Sequence, residues 1–490
     1  LLSRMCNYPA QAFMRSLLVF TAAFASFWFF ESAPAQEPSQ YPEPNLPTLL
    51  IPEAPVASEA DVEVDAFLQV PAARAEYNVT GRGLAVVVID TGINLDHISF
   101  QGRLISGRNF SEDGGAGEMR DTTKNRHGAI IPSGHGSNVA GIIAGNRLPS
   151  FENIPSGIAY ESKIVPLKVF PGGQFSRINE SLQWVLDNRE RILADEGVLI
   201  SVVNMSLGVP GDNRRNDSGV NSDLAAQRSL IKRLRDMNVA VVVSAGNSYA
   251  SFNPSVEGMA APGIFRETVS VAAVYDSNLP ANTPPLPITY SDGGTVRQAV
   301  AGRLTVFSQR LGEIAGGAFR TDICAPGFFV TSAGPAVGND PTRSRTTQDG
   351  TSQAAPTISG LILLAQQHWR NRKQAADPSS FAERDLPTVD LLEVALRDGG
   401  TAFQDVEEPT DHQFDNVTGC GATFHRANAL GLLARIDFET PSESQPAVPS
   451  NVLSLKALQA EMFGKSLEDQ EKILNQFRSS SGKFDVFKKK

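Results

Sequence analysis

A serine in the segment 350–356, which reads Gly-Thr-Ser-Gln-Ala-Ala-Pro, has the surroundings of a nucleophile. This residue, Ser352, precedes an apolar run at 357–365 that leaves almost no polar face and therefore predicts a buried helix. At a helix N-terminus, free N–H groups and the positive end of the helix dipole favour negative charge developing beside the serine. The alternative is that Ser352 only caps a core helix. Nucleophilic chemistry also needs a base and a group that orients the base.

An aspartate follows the continuous apolar stretch at 84–89, which is typical of a parallel strand buried on both faces. This residue, Asp90, begins the triplet Asp-Thr-Gly, and catalytic groups collect at the carboxyl ends of such strands. Aspartic peptidases use the same triplet, but they need two copies that share one proton. The near-copy that starts at Asp217 follows no apolar stretch, so the aspartic class is the weaker alternative.

A histidine between two glycines provides a candidate base. Gly134 and Gly136 let the imidazole of His135 stand at the junction between a loop and a helix, and Val139 and Ile142 bury the helix behind it. The remaining histidines lack this setting, and we interpret them as loop, packing or structural residues: His97, His127, His368, His412 and His425.

These three segments, in the order Asp90, His135 and Ser352, resemble those of the subtilisin-like (subtilase) peptidases. The serine segment is similar to the family pattern Gly-Thr-Ser-x-Ala-x-Pro. The histidine segment is similar to His-Gly-Thr-x-Val-Ala-Gly, with Ser137 at the threonine position. The resemblance covers about 62–437 and implies a serine endopeptidase in which the serine attacks a peptide carbonyl, the histidine transfers its proton and the aspartate orients the histidine. An acyl-enzyme is the implied intermediate.

Two further segments resemble parts of the family that bind substrate. The stretch 203–208 is similar to the segment that pairs with the substrate backbone, and 241–247 is similar to the segment that supplies the oxyanion-hole asparagine, here Asn247. The alternative for Asn247 is a turn residue. The implied walls of the specificity pocket are Ser206, Leu207 and Gly208 on one side and Ser244, Ala245 and Gly246 on the other. Ala260 is expected at the floor, and because no acidic floor residue is evident, an uncharged, apolar substrate side chain is expected.

Alternating strands and helices must position these residues. Apolar stretches at 163–170 and 199–204 indicate strands, and helical spacing of apolar residues marks 178–193 and 223–236. This alternation predicts an α/β fold, a subtilisin-like doubly wound and mostly parallel sheet with helices on both faces. The resemblance adds an expected strand at 306–308.

Composition limits the classes of partner. The 490 residues carry a net charge of −10 with a pI near 5.3, and the basic block at 488–490 is the only one, so nucleic acid is not an expected partner. The cysteines Cys6, Cys324 and Cys420 are too few for a disulfide scaffold and too scattered for a zinc site, and we interpret Cys324 as a core residue. Polypeptide substrates and a monomeric enzyme are expected.

No metal-binding motif is evident in the chain. Many subtilases place a calcium-binding carboxylate nine residues after the catalytic aspartate, and this chain has Ser99 there. No cofactor is therefore assigned, although the acidic stretch 112–121 could bind calcium in a different way.

The N-terminus predicts export. Arg15 precedes an apolar stretch at 17–30, and a small-x-small cleavage site ends at Ala35, so residues 1–35 are predicted to be a signal peptide. An uncleaved signal anchor is the alternative. Cleavage near Ala35 would place the enzyme in the periplasm or outside the cell, without stable membrane association beyond the signal segment.

The rest of the chain divides by composition. A proline- and glutamate-rich linker is expected at 36–61, and a peptidase domain at 62–437. A second linker is expected at 438–451, and a helical C-terminal extension at 452–490. This division leaves no room for the folded prodomain that many subtilases carry. A non-catalytic subtilase-fold binding protein is one alternative function. An esterase or lipase is another, but the chain lacks the Gly-x-Ser-x-Gly elbow of those enzymes.

Overall fold

A computed structural model of the chain describes residues 64–148, 153–213, 222–252, 257–312, 320–379, 381–406 and 414–439. The predicted signal peptide, the linker at 36–61 and the C-terminal extension lie outside these residues, as do Cys6, Asp217 and His412. Among the described residues, no helix combines the length and the apolar character that crossing a membrane requires.

The fold is built on a nine-stranded sheet in which parallel pairing predominates. In chain order its strands are β1 (Leu84–Asp90), β2 (Arg108–Asn109), β3 (Lys163–Lys168), β4 (Leu199–Met205), β5 (Ala240–Ser244), β6 (Val269–Val274), β7 (Ile323–Pro326), β8 (Thr401–Gln404) and β9 (Thr423–Arg426). Their spatial order is β8-β9-β7-β6-β5-β4-β1-β3-β2, and β8 runs antiparallel to β9 at one edge. Strand β1 pairs in parallel with both β3 and β4. The carboxyl ends of β1, β4 and β5 therefore lie at the same edge.

Helices cover both faces of this sheet. They are α1 (Val70–Tyr77), α2 (His135–Ala144), α3 (Phe175–Glu196), α4 (Ser222–Asp236), α5 (Thr351–Ala376), α6 (Val389–Gly399) and α7 (Ala429–Glu439). Alternate residues of β1 enter different cores: Val86 and Val88 pack on the side of α2 and α5, whereas Val87 and Ile89 pack on the side of α3 and α4. A strand covered on both faces has no polar face, which explains its continuous apolar sequence.

Short antiparallel ribbons lie outside the main sheet. Their paired segments are Thr122–Lys124 with Ile130–Pro132, Val209–Asn213 with Met259–Ala261, Ile288–Thr289 with Thr295–Val296, and Val330–Ala333 with Arg345–Gln348. The first of these ribbons ends just before α2, and the last ends just before α5, so both adjoin the candidate site.

The predicted fold class is confirmed, because the sheet is mostly parallel and has helices on both faces. Cys324 is buried within β7, and both Cys324 and Cys420 are free thiols. The strand expected at 306–308 was wrong. Val306 and Phe307 are buried in a turn, where Phe307 packs its ring edge against Tyr290 instead of pairing its backbone in a sheet. Apolar residues there reflect burial alone.

Leu361 tests the contribution of α5 to the core. Its side chain has no exposed surface, so Leu361→Ala is expected to lower the free energy of unfolding by about 2–5 kcal/mol. Urea unfolding followed by circular dichroism measures this change. The control is Leu95→Ala, at a leucine that is 46% exposed, where a change within about 0.5 kcal/mol is expected. Equal losses in the two variants would contradict the assigned core.

Candidate active site

Asp90 and His135 form a hydrogen-bonded pair at the edge of the sheet. Asp90 is the last residue of β1, and its Oδ1 lies 2.7 Å from Nδ1 of His135, the first residue of α2. The Asp90 side chain is 2% exposed and the imidazole 17% exposed. Gly134 precedes the histidine with φ of 85°, a left-handed conformation that favours glycine. The structure therefore brings together two of the predicted residues, and the glycine sets the turn between them.

The surroundings of His135 make its imidazole more basic. Burial lowers its pKa, but the charge of Asp90, the hydrogen bond to Asp90 and the charge of Asp121 together raise the pKa above the ordinary value of 6.5. A base of raised pKa accepts a proton more readily.

Ser352 lies in the first turn of α5 and is 2% exposed. Its Oγ donates to the Ser206 carbonyl oxygen at 3.3 Å, and the Ser206 hydroxyl donates to the Ser352 carbonyl oxygen at 2.7 Å. The helices α2 and α5 pack together, and Gln353 Nε2 donates to Asn138 Oδ1 at 3.2 Å between them. In the described part of the chain, His135 Nε2 is buried without a hydrogen-bond partner, so Ser352 does not bond to the imidazole here.

Asn247 follows β5, and Thr351 fixes the orientation of its amide. The backbone N–H and the hydroxyl of Thr351 donate to Asn247 Oδ1 at 2.9 and 2.8 Å. Because the amide oxygen accepts both, the Nδ2 group is the donor that remains for a ligand. A Cβ at Gly350 would lie 3.0 Å from this Nδ2, so a glycine at 350 keeps the space beside the amide open.

The residues predicted to form the pocket walls follow two neighbouring strands. One wall follows β4, the other begins at the end of β5, and the pairing of these strands places the walls side by side. They comprise Ser206, Leu207 and Gly208, and Ser244, Ala245 and Gly246, all of which are buried. Ala260 lies near both walls, since its Cβ would be 3.4 Å from a Cβ on Gly208 and 2.9 Å from one on Gly246.

Two buried polar residues beside these groups were missed or misassigned from sequence. Gln309 Nε2 donates to the Gly211 carbonyl oxygen at 2.8 Å, and Gln309 Oε1 fills the space that a side chain at Gly246 would need. The sequence marks Asp121 only as part of an acidic stretch that could bind calcium, but its carboxylate contacts Thr91 and Ser137 beside the Asp90–His135 pair. No local sequence pattern marks either residue, because their partners are distant along the chain.

The acidic stretch 112–121 does not form a shared cation site. Its carboxylates have separate partners: Glu112 contacts Lys124, Asp113 contacts Lys168 and Thr122, and Glu118 contacts Arg120. Calcium needs several oxygen ligands that converge on one point. Across the residues that the structure describes, no group of three or more His, Cys, Asp or Glu side chains is arranged to hold a metal ion. The donor set therefore does not fit calcium at this stretch.

The mostly parallel, doubly wound sheet has the subtilisin-like α/β architecture. The sequence profile of the Subtilase family matches residues 81–386, and the chain belongs to this family. It is accordingly a serine-type endopeptidase that acts on polypeptides, and the aspartic alternative is excluded by the family.

Relatives of known sequence agree with this family. The chain is 26% identical over 349 residues to an intracellular serine protease of Paenibacillus polymyxa, covering 70% of this chain and 82% of that protein. It is 25% identical over 342 residues to the major intracellular serine protease of Bacillus subtilis, covering 68% and 84%. It is also 26% identical over 306 residues to an extracellular protease of Xanthomonas campestris pv. campestris, covering 59% and 44%. The names of these relatives state different locations.

The pH dependence of hydrolysis tests the basicity of His135. An imidazole that accepts a proton must start neutral, so kcat/KM is expected to fall as the pH drops through the pKa of His135. Because that pKa is raised, the midpoint should lie above the ordinary value of 6.5. The measurement is kcat/KM on a peptide without titrating groups in this range. Circular dichroism over the same pH series separates titration from unfolding, and a midpoint at or below 6.5 would contradict the assigned environment.

Proposed function

We propose that this subtilase hydrolyses peptide bonds with Asp90, His135 and Ser352 as its catalytic triad and with Asn247 in its oxyanion hole. The observation that carries the proposal is the 2.7 Å contact between Asp90 Oδ1 and His135 Nδ1, at the sheet edge where the Ser352 helix begins. The alternative, in which Ser352 only caps α5, does not account for the Nε2 atom of His135, which is buried without a hydrogen-bond partner among the described residues.

The first step transfers the hydroxyl proton of Ser352. In the free enzyme this hydroxyl donates to the Ser206 carbonyl oxygen, and the proposed step requires that it turn to His135 Nε2 instead. Catalytic hydrogen bonds in unliganded enzymes commonly form only once substrate binds. As Oγ attacks the substrate carbonyl carbon, Nε2 takes the proton, and Asp90 stabilises the resulting imidazolium.

The attack places a negative charge on the former carbonyl oxygen. Asn247 Nδ2, whose orientation Thr351 sets, and the backbone N–H of Ser352 are the proposed donors to this oxygen. Both donors lie at the N-terminal end of α5, where the helix dipole adds positive potential. They need no reorganisation as the charge develops, which is the basis of their contribution to rate.

Collapse of the tetrahedral intermediate breaks the carbon–nitrogen bond. The imidazolium of His135 returns its proton to the leaving amine, and the acyl group stays on Ser352 Oγ. A water molecule then repeats the sequence: it gives a proton to His135, attacks the ester and releases the acid. The proton balance closes, because the histidine ends neutral and the serine regains its hydrogen.

Substrate alignment is assigned to the two walls that follow β4 and β5. The backbone at 206–208 would pair with an extended substrate, and Ala260 lies beside both walls, at the proposed floor of the pocket. No carboxylate is among these proposed pocket residues, which supports an uncharged side chain before the cleaved bond. Gln309 adds one neutral polar group beside Gly246.

Export is the proposed location, with residues 1–35 as a cleaved signal peptide and 62–437 as the peptidase domain. The support is the charged, apolar and small-residue pattern of the N-terminus. The relatives include one named as an intracellular protease and one named as an extracellular protease, so their names do not decide the location of this chain.

Two substitutions test the proposed chemistry. Ser352→Ala should abolish both labelling by a fluorophosphonate probe and hydrolysis of casein. Asn247→Ala should slow turnover by roughly 10²–10³, the loss known for the corresponding asparagine of subtilisin. Asn188→Ala, on α3, is the control and should keep wild-type rates, because this asparagine bonds only within its own helix and to a neighbouring arginine.

The same assay separates the alternatives. A folded wild-type chain that neither labels nor cleaves would contradict the proposed function and favour a non-catalytic binding protein. Cleavage of esters without cleavage of casein would favour an esterase instead.

The location is tested by expression from the full sequence in a bacterium and fractionation of the cells. N-terminal sequencing of the exported protein should find a first residue near Gln36. A cytoplasmic chain that retains residues 1–35 would contradict export.

A further inference from the structure

Asp121 is a buried carboxylate close to the proposed triad but outside it. It lies just before the ribbon strand Thr122–Lys124 and is 5% exposed. Its Oδ1 accepts the Thr91 hydroxyl proton at 2.7 Å. Its Oδ2 accepts the Ser137 backbone N–H at 2.8 Å and the Ser137 hydroxyl at 2.6 Å. One carboxylate thus connects the residue after Asp90 with the first turn of α2.

The first turn of α2 depends on acceptors from outside the helix. Its N-cap residue, Gly134, has no side chain that could accept a hydrogen bond. The N–H of His135 donates to Ser133 Oγ at 3.3 Å, and that of Gly136 donates to Thr91 Oγ1 at 2.9 Å. Ser137 N–H completes the turn with its bond to Asp121. Thr91 and Asp121 therefore replace the missing cap and fix the start of the helix that carries the imidazole.

The Thr91 hydroxyl lies between two carboxylates and has one proton to give. Its Oγ1 is 3.1 Å from Asp90 Oδ1 and 2.7 Å from Asp121 Oδ1. The shorter contact takes the proton. Asp90 Oδ1 then accepts only the Thr91 backbone N–H and the imidazole Nδ1–H, each at 2.7 Å.

We propose that Asp121 is a positioning residue for the catalytic histidine. By holding the Thr91 hydroxyl proton and the Ser137 N–H, it keeps Asp90 Oδ1 available to His135 and fixes the imidazole at the helix start. The proposal rests on the proposed function, in which the Asp90–His135 bond orients the base.

The hydrogen bonds to Asp121 favour its ionised form, whereas its burial opposes it. Burial, the largest effect, and the charge of Asp90 raise the pKa of Asp121 above its usual range, and the hydrogen bonds from Ser137 and Thr91 lower it. Three donors point at the carboxylate, and an ionised group accepts all three, whereas a protonated one would have to donate to one of them. The neighbouring charges come from Asp90 on β1, from Lys168 on β3 and from Asp113, which contacts Lys168 at 3.4 Å.

Asp121→Asn is the test variant, because it preserves shape and removes the charge. The new amide would donate to Thr91 Oγ1, and the Thr91 proton would turn to Asp90 Oδ1, where it competes with His135. The pKa of His135, measured by NMR on labelled histidine in the full chain carrying Ser352→Ala, should therefore fall. This measurement needs no catalysis, so it stays informative if the proposed function fails. The matched control, Asp113→Asn, removes a carboxylate from the same loop that contacts neither Thr91 nor α2, and should leave the pKa unchanged.

Kinetics of the active enzyme provide the second readout. Asp121→Asn should lower kcat about tenfold or more with little change in KM, since a lost charged hydrogen bond changes a rate by about one decade. The acid limb of kcat/KM should move to lower pH. A role limited to capping the helix would lower stability without moving that limb.

Thr91→Val serves if Asp121→Asn does not fold, because valine keeps the branched shape and removes the hydroxyl between the carboxylates. With no hydroxyl left to compete for Asp90 Oδ1 and with Asp121 still in place, Thr91→Val should not lower the pKa of His135. A fall of that pKa in folded Thr91→Val, an unchanged pKa in folded Asp121→Asn, or an equal fall in Asp113→Asn, would overturn the proposal.

Discussion

The hydrogen bond between Asp90 and His135 is the contact on which the site depends. In the proposed mechanism it orients the base, and it does so only while the end of β1 and the start of α2 stay fixed, because displacements of about 1 Å are costly in catalysis. Strand β1 meets this demand because all seven of its residues are buried and both of its neighbours pair with it. Helix α2 meets it through a buried face and through polar acceptors at its first turn. The packed core thus holds the two ends of this contact rigidly in place.

A second constraint links Ser352, the proposed nucleophile, to Asn247, the proposed oxyanion donor. Asn247 follows β5 and Ser352 belongs to α5, so these groups come from distant parts of the chain. Thr351, the neighbour of Ser352, donates twice to the Asn247 amide oxygen and accepts the Gly246 N–H at 3.1 Å. The serine helix and the asparagine loop therefore move together. This coupling keeps the two proposed oxyanion donors at a constant separation, which electrostatic stabilisation of a transient charge requires.

Local patterns in the sequence predicted most of the scaffold and the residues that could react. Continuous apolar runs identify strands buried on both faces, and the glycines around His135 and Ser352 indicate sharp turns at helix starts. The family resemblance failed at 306–308, where apolar residues are buried in a turn. Composition also suggested only that the acidic stretch 112–121, which includes Asp121, could bind calcium, because an acidic stretch does not reveal which partner each carboxylate meets. The partners of Asp121 are 30 and 16 positions away, and only the folded chain brings them together.

The charge balance at this sheet edge follows from those buried partners. Two carboxylates close together in a buried site are costly unless cations or donors compensate them. Lys168 is fully buried at the end of β3, and its ammonium donates to the Arg120 carbonyl oxygen and the Thr122 hydroxyl on either side of Asp121. The lysine ammonium thus offsets part of this negative charge, although burial lowers its pKa. The remaining negative charge raises the pKa of His135, so the positive charge that the imidazole would gain in the proposed mechanism is one that its surroundings favour.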